Sequence, residues 1–182
     1  MLLVGDSMAE GLRYAFAYYS KKNGHQFTYI TENSSSIIGW QDGKLKSLIE
    51  KIKPTFVMIS LGTNELFTKR IEEYHGFVKN IIGQVGKLNF VWIGPPNWKK
   101  DNGLTQVLEA EVGSDRFFRS LDLELKRAAD GIHPQWKEYE VWAEYIAQWL
   151  MTKSRKKIIM KVPRLEVLKQ KKKDSLRVGS RD

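Results

Sequence analysis

Apolar positions along this chain follow two rhythms. Residues 1–4 (MLLV), 55–61 (TFVMISL) and 89–93 (NFVWI) form short, nearly continuous apolar runs, as expected of strands covered on both faces. Elsewhere apolar residues return every three or four positions: Met8, Leu12, Ala15, Phe16 and Tyr19; then Leu45, Leu48, Ile49 and Ile52; then Ile71, Tyr74, Val78, Ile81, Ile82 and Val85. These series predict helices starting at Met8, over 43–52 and over 68–86, the second stopped by Pro54. Residues 26–31, after the Asn23-Gly24 stop signal, have the aromatic and β-branched character of another strand. Past Gly94-Pro95-Pro96 the pattern predicts a short helix over 104–111 and a weak strand over 116–118. An aromatic-rich helix carrying Trp136, Trp142, Tyr145, Ile146 and Trp149 closes the series. Strand and helix alternate, which predicts an α/β fold: a central, mostly parallel five-stranded sheet with helices on both faces.

Ligands of such sheets gather outside the carboxyl ends of the strands. The predicted strands run into Gly5-Asp6-Ser7, the polar run 31–36 (TENSSS), Gly62-Thr63-Asn64-Glu65 and Gly94-Pro95-Pro96, so one edge collects all four. Ser7 falls in a strand-to-helix turn, where its hydroxyl meets the free N–H groups and positive dipole end of the following helix. Taken alone, Asp6 and Ser7 are also ordinary helix-capping residues. Asp130 and His133 stand three residues apart before a proline-started helix, a spacing at which a carboxylate can orient an imidazole. The free ring nitrogen could then take a proton from Ser7.

Composition narrows the chemistry. With 182 residues and 42% hydrophobic content, the chain fits one domain with a real core. It has no cysteine, which excludes disulfides and a catalytic thiol, and its three histidines (His25, His75, His133) show no metal-ligand spacing. No metal and no cofactor is expected. Nothing approaches the roughly 18 continuous apolar residues of a membrane span, and no signal peptide precedes the first strand. A cytoplasmic protein is the expectation as written, with a periplasmic or exported form left open if an N-terminal signal is missing.

The net charge of +9 is unevenly placed. Residues 153–182 hold 12 Lys or Arg against Glu166, Asp174 and Asp182, whereas residues 1–152 carry 18 basic and 18 acidic residues. The neutral core, 1–152, calls for no nucleic acid. The basic stretch 153–182 is expected to be a poorly ordered, solvated extension, with contact to an anionic surface as the second reading.

The residues at the sheet edge resemble the SGNH hydrolases, also known as GDSL-type esterases. Gly5-Asp6-Ser7 matches the nucleophile block, Gly62-Thr63-Asn64-Glu65 the Gly-x-Asn block and Asp130-Gly131-Ile132-His133-Pro134 the Asp-x-x-His block, in the family's order. The resemblance spans about residues 1–150. It implies a flavodoxin-like three-layer α/β/α sandwich, Ser7 as nucleophile, His133 as general base and acid, and Asp130 as its orienting partner. It further implies an oxyanion hole built from the Ser7 backbone N–H, the Asn64 side-chain amide and a backbone N–H from a second block.

That second block departs from the family's pattern, which has a glycine soon after the second strand. Gly39 and Ser36 are equally good candidates here, since a backbone N–H does not require glycine. Glu65 replaces a more usual Asp. Trp40, Pro95 and Trp98 follow strand ends and are expected to form part of a wall for a sugar ring or acyl group. His25 and His75 read as surface or locally satisfied imidazoles, and Trp136, Trp142 and Trp149 as core.

The expected activity is hydrolysis of short-chain acyl esters, with O-acetyl on carbohydrate first, through an acyl-enzyme on Ser7. A lysophospholipase or thioesterase, an acyltransferase with the same residues, and a catalytically silent carbohydrate-binding module are the alternatives.

Overall fold

A computed structural model of the chain describes residues 1–161. Five strands form one sheet: β1 (Leu2–Gly5), β2 (Thr28–Thr31), β3 (Phe56–Ser60), β4 (Asn89–Ile93) and β5 (Phe117–Phe118). Their order is β2-β1-β3-β4-β5 and every neighbouring pair is parallel. All residues of β1 and β3 are buried, as their nearly continuous apolar runs predict.

Alternation along each strand divides the core in two. Leu3, Met58, Val91 and Ile93 face one side, where α1 (Ser7–Lys22) and α6 (Trp136–Thr152) contribute Met8, Leu12, Phe16, Trp142, Ile146 and Leu150. Leu2, Val4, Val57, Ile59 and Trp92 face the other. They meet α2 (Ile37–Trp40), α3 (Lys44–Ile52), α4 (Tyr74–Val85) and α5 (Leu104–Val112). The result is the expected three-layer α/β/α sandwich in flavodoxin-like strand order.

From β1 the chain crosses one way to β2 and then the other way to β3, so the switch in strand order lies between β1 and β3. At such a switch point the connections diverge and leave a crevice at the carboxyl edge. Gly5 lets the two strands' exits converge there. A Cβ at that position would lie 2.0 Å from the Ser60 carbonyl oxygen and 2.8 Å from Ala9 Cβ. With no side chain in the way, the Asp6 N–H reaches Ser60 O at 3.2 Å and α1 starts hard against β3.

Several elements differ from expectation. β2 starts at Thr28 and lies on the sheet edge, half exposed. The start of the helix expected over 68–86 is a 3-10 turn, Ile71–Glu73, before α4. Trp136 is 58% exposed, with its ring edge-on to Tyr14 at 4.8 Å, so it is not core as expected; Trp142 is fully buried.

The largest correction is at the C-terminal boundary. Residues 153–161 belong to the domain, not to an extension. Met160 is fully buried, Arg155 pairs with Asp115 at 2.7 Å, and the Lys161 backbone exchanges hydrogen bonds with the Asn23 side chain. Two apolar residues in a basic context, Ile158 and Met160, pack on the α1/α6 layer. Residues 162–182, including the Lys171–Lys173 run (KKK), lie outside the described residues. No helix among the described residues is long and apolar enough to cross a membrane.

Candidate active site

Each polar block identified at a strand end meets the others at the carboxyl edge of the sheet. Asp6 caps α1: its backbone is extended and Oδ1 accepts the Met8 N–H at 2.9 Å. Capping is thus done by Asp6, which leaves the Ser7 hydroxyl for another partner. That partner is His133, whose Nε2 lies 2.8 Å from Ser7 Oγ across 126 residues of sequence.

His133 is held from behind. Its Nδ1 lies 2.7 Å from Asp130 Oδ2, while Asp130 Oδ1 accepts the backbone N–H groups of Ile132 (2.8 Å) and His133 (2.9 Å). The turn forms because Gly131 takes the left-handed region, φ 69°, and donates to Ala128 O. The His133 side chain holds the Asp130 carboxyl down at about 2, with help from these two backbone N–H groups. Asp130 is therefore an anion at neutral pH. It draws the ring proton to Nδ1 and leaves Nε2 as the acceptor facing Ser7.

The loop is tied to its neighbours by Arg127, a residue that sequence reasoning passed over. Its guanidinium donates to Ile132 O (3.1 Å), Pro96 O (2.7 Å) and Asn97 O (3.0 Å), joining the loop after β4 to the residue before His133. A mixed polar and apolar run such as LKRAAD gives no signal of this. Only the fold brings the three carbonyls together.

Asn64 stands in the 3-10 turn Thr63–Glu65 after β3. Its Nδ2 donates to Ser35 O at 2.8 Å, which ties the β3 exit to the loop after β2. Of the two second-block candidates, the Gly39 N–H is occupied inside α2 by Ser36 O and Ser36 Oγ. The backbone N–H groups of Ser36 and Ser7 find no acceptor among the described residues. Ser36 is also next to the peptide carbonyl that Asn64 grips, so its N–H is open beside the Asn64 turn whereas that of Gly39 is engaged.

Two carboxylates lie beneath these groups. Asp6 is fully buried and pushed up to about 6 by burial, against the backbone N–H groups of Met8, Thr63 and Ala9 and the charge of His133. Glu65 is 2% exposed and pushed up to about 7, by burial first and then by Asp6. Its Oε1 accepts the Ile37 N–H at 2.7 Å and so fixes the start of α2, directly after Ser36. In the sequence Glu65 stands only as a replacement for a more usual Asp. The structure makes it the link between the Asn64 turn and the second block.

The expected wall is only partly present. Trp40 is fully buried, with Nε1 donating to Ser35 Oγ at 3.1 Å, and Pro95 is buried against the Gly62 turn, so neither faces a ligand. Trp98 remains at the rim, half buried, with its ring 5.4 Å from that of Phe67, which is 66% exposed. Lys99 Nζ sits 4.1 Å from the Phe67 ring centre. His25 and His75 are locally satisfied, by Ile159 O and by Glu111, each at 2.6 Å. Among the described residues no group of three or more His, Asp or Glu side chains is placed to hold a metal ion.

Neither a protein-family model nor a curated protein sequence matches the chain. Solved structures do match. An aryl esterase of M. smegmatis is similar over 84% of this chain and 98% of its own, with a TM-score of 0.64 and 14% identity. The esterase EstA from Pseudoalteromonas sp. gives 82% and 97%, a TM-score of 0.58 and 20% identity. A family 3 carbohydrate esterase of Clostridium thermocellum gives 81% and 92%, with a TM-score of 0.61 and 15% identity. The chain shares the fold of these proteins along nearly their whole lengths.

Proposed function

We propose that the chain is a serine hydrolase of the SGNH superfamily that cleaves short-chain acyl esters, O-acetyl groups on carbohydrate foremost, through an acyl-enzyme on Ser7. The observation that carries this reading is the continuous line from Asp130 Oδ2 through the His133 ring to Ser7 Oγ, with steps of 2.7 and 2.8 Å.

In the reaction, Ser7 Oγ bonds to the ester carbonyl carbon as its proton passes to His133 Nε2. Asp130 and, from below, Asp6 favour the imidazolium that results. The carbonyl oxygen becomes an oxyanion, held by the Ser7 and Ser36 backbone N–H groups and the second N–H of Asn64 Nδ2. Such donors are set before the reaction begins, and each contributes roughly 3–4 kcal/mol to the transition state. The tetrahedral species collapses, the C–O bond to the alcohol breaks, and the alcohol leaves with the proton from Nε2. A water molecule deprotonated by His133 then repeats the sequence on the acyl-enzyme and frees the acid.

Substrate size is inferred from the rim. Side chains of His133 and Asp130 are 34% and 47% exposed, so the reacting groups sit in an open edge where a bulky alcohol has room. The Phe67 and Trp98 rings offer the kind of flat apolar surface on which a sugar ring stacks. A neighbour in fold is a carbohydrate esterase, which supports the same choice. The test is a panel of esters from acetyl to palmitoyl, assayed with the wild-type chain and Ser7→Ala. The expected result is a peak rate at acetyl that vanishes in Ser7→Ala. A peak at long chains would overturn the substrate reading, and activity surviving Ser7→Ala would overturn the reaction.

A further inference from the structure

The pole opposite the reacting edge carries a cavity with unusual chemistry. It holds about 240 Å³ between the start of β4 and the strap after α6, and its lining includes Lys87, Arg116, Arg155 and Lys156 with no Asp or Glu. Four basic residues thus line a space with room for a small polyatomic anion and its water.

Arg116 is the informative member. Its guanidinium carbon stands 4.8 Å from the ring centre of Phe90, and Nε is buried with no hydrogen-bond partner. No acceptor among the described residues meets any of its five N–H donors. Burial first, and then the nearby charge of Arg155, lower its affinity for its proton, against the opposing pull of Asp115. The nearest carboxylate, Asp115, is engaged at 2.7 Å by Arg155 and lies outside the lining. A half-buried, unpaired guanidinium facing like charges is unfavourable in the free protein, and a bound anion removes the cost. The planar fork of Arg with flanking Lys ammonium groups is the donor set that tetrahedral oxyanions accept in several directions at once.

We propose that this cavity is a binding site for a phosphomonoester group, held by Arg116 with Lys87 and Lys156. The group can be carried by a soluble phosphate ester or by a lipid headgroup. Both present the same dianion. The site is independent of the ester-cleaving reading, since none of its residues belongs to the reacting edge.

The test follows the Arg116 Nε–H resonance of the full-length, nitrogen-15-labelled chain during titration with inorganic phosphate, with sodium chloride at matched ionic strength as control. The expected result is a saturable shift with phosphate and none with chloride. Arg116→Gln should abolish the effect on the neighbouring backbone amides. A Lys87→Gln/Lys156→Gln double variant, which keeps Arg116 and its stacking on Phe90, should weaken binding at least tenfold. A non-saturating shift, or an equal one in chloride, overturns the proposal, as does unchanged affinity in the double variant. Vesicles containing phosphatidic acid then separate the sources. Binding that the double variant loses identifies a headgroup ligand, and vesicle binding that the variant keeps, beside a lost response to phosphate, identifies a soluble one.

Discussion

Glu65→Gln removes a buried charge while keeping the carbonyl that receives the Ile37 N–H, and its effect depends on pH in a direction fixed by the structure. In the unfolded chain the Glu65 carboxyl ionises near its ordinary 4.5, whereas in the fold burial and the adjacent Asp6 push it up to about 7. Between those values the unfolded chain has released a proton that the folded chain still holds. Stability therefore falls as pH rises through this window and levels off above about 7. The gap corresponds to a loss on the order of 3 kcal/mol by pH 8. Glutamine has no proton to release, so the variant lacks this component. Urea unfolding followed by tryptophan fluorescence, near pH 4 and near pH 8 at constant ionic strength, measures it. The two proteins should be close in stability near pH 4, and the variant should lead by about 3 kcal/mol near pH 8. Parallel pH profiles would refute the reasoning, because they would mean that the folded chain ionises Glu65 as readily as the unfolded one.

Asn64→Ala should lower turnover of a soluble acetyl ester by about two to three orders of magnitude through loss of one oxyanion donor. Its urea midpoint should change little, because the side chain is exposed; steady-state kinetics and unfolding on the same preparation check both. Asp130→Asn should cost turnover about three to four orders of magnitude, by releasing the His133 tautomer, with the fold intact by circular dichroism. Two truncations should differ. A chain ending at residue 161 should match the full chain in thermal stability and turnover, whereas one ending at residue 152 should lose roughly 2–5 kcal/mol with the burial of Met160.

The sheet and the polar blocks gathered at its carboxyl edge were legible because their signals are local. Residues 1–4 and 56–59 are apolar throughout, as a doubly covered strand requires, and the polar runs at 5–7, 31–36 and 62–65 stand directly after strands. β5 is two residues long, and α2 is a single turn whose apolar pair, Ile37 and Trp40, is too short to show a period. Trp40 and Pro95 looked like wall residues because position after a strand says nothing about orientation. Trp40 turns inward and bonds Ser35. The strap over 153–161 was hidden by its charge: Ile158 and Met160 pack beneath a surface of Lys and Arg whose stems and heads reach solvent. That the Gly39 N–H is spent inside α2 while the Ser36 N–H is open is a matter of three-dimensional hydrogen bonding that composition cannot supply.

The most direct measurement is intact-protein and peptide mass spectrometry after exposure to a small organophosphonate ester. One phosphonyl group per chain, located on the peptide containing Ser7 and absent from His133→Ala at the same exposure, is the expected result. An unmodified wild-type chain, or a label distributed over other residues, would contradict an activated Ser7 hydroxyl.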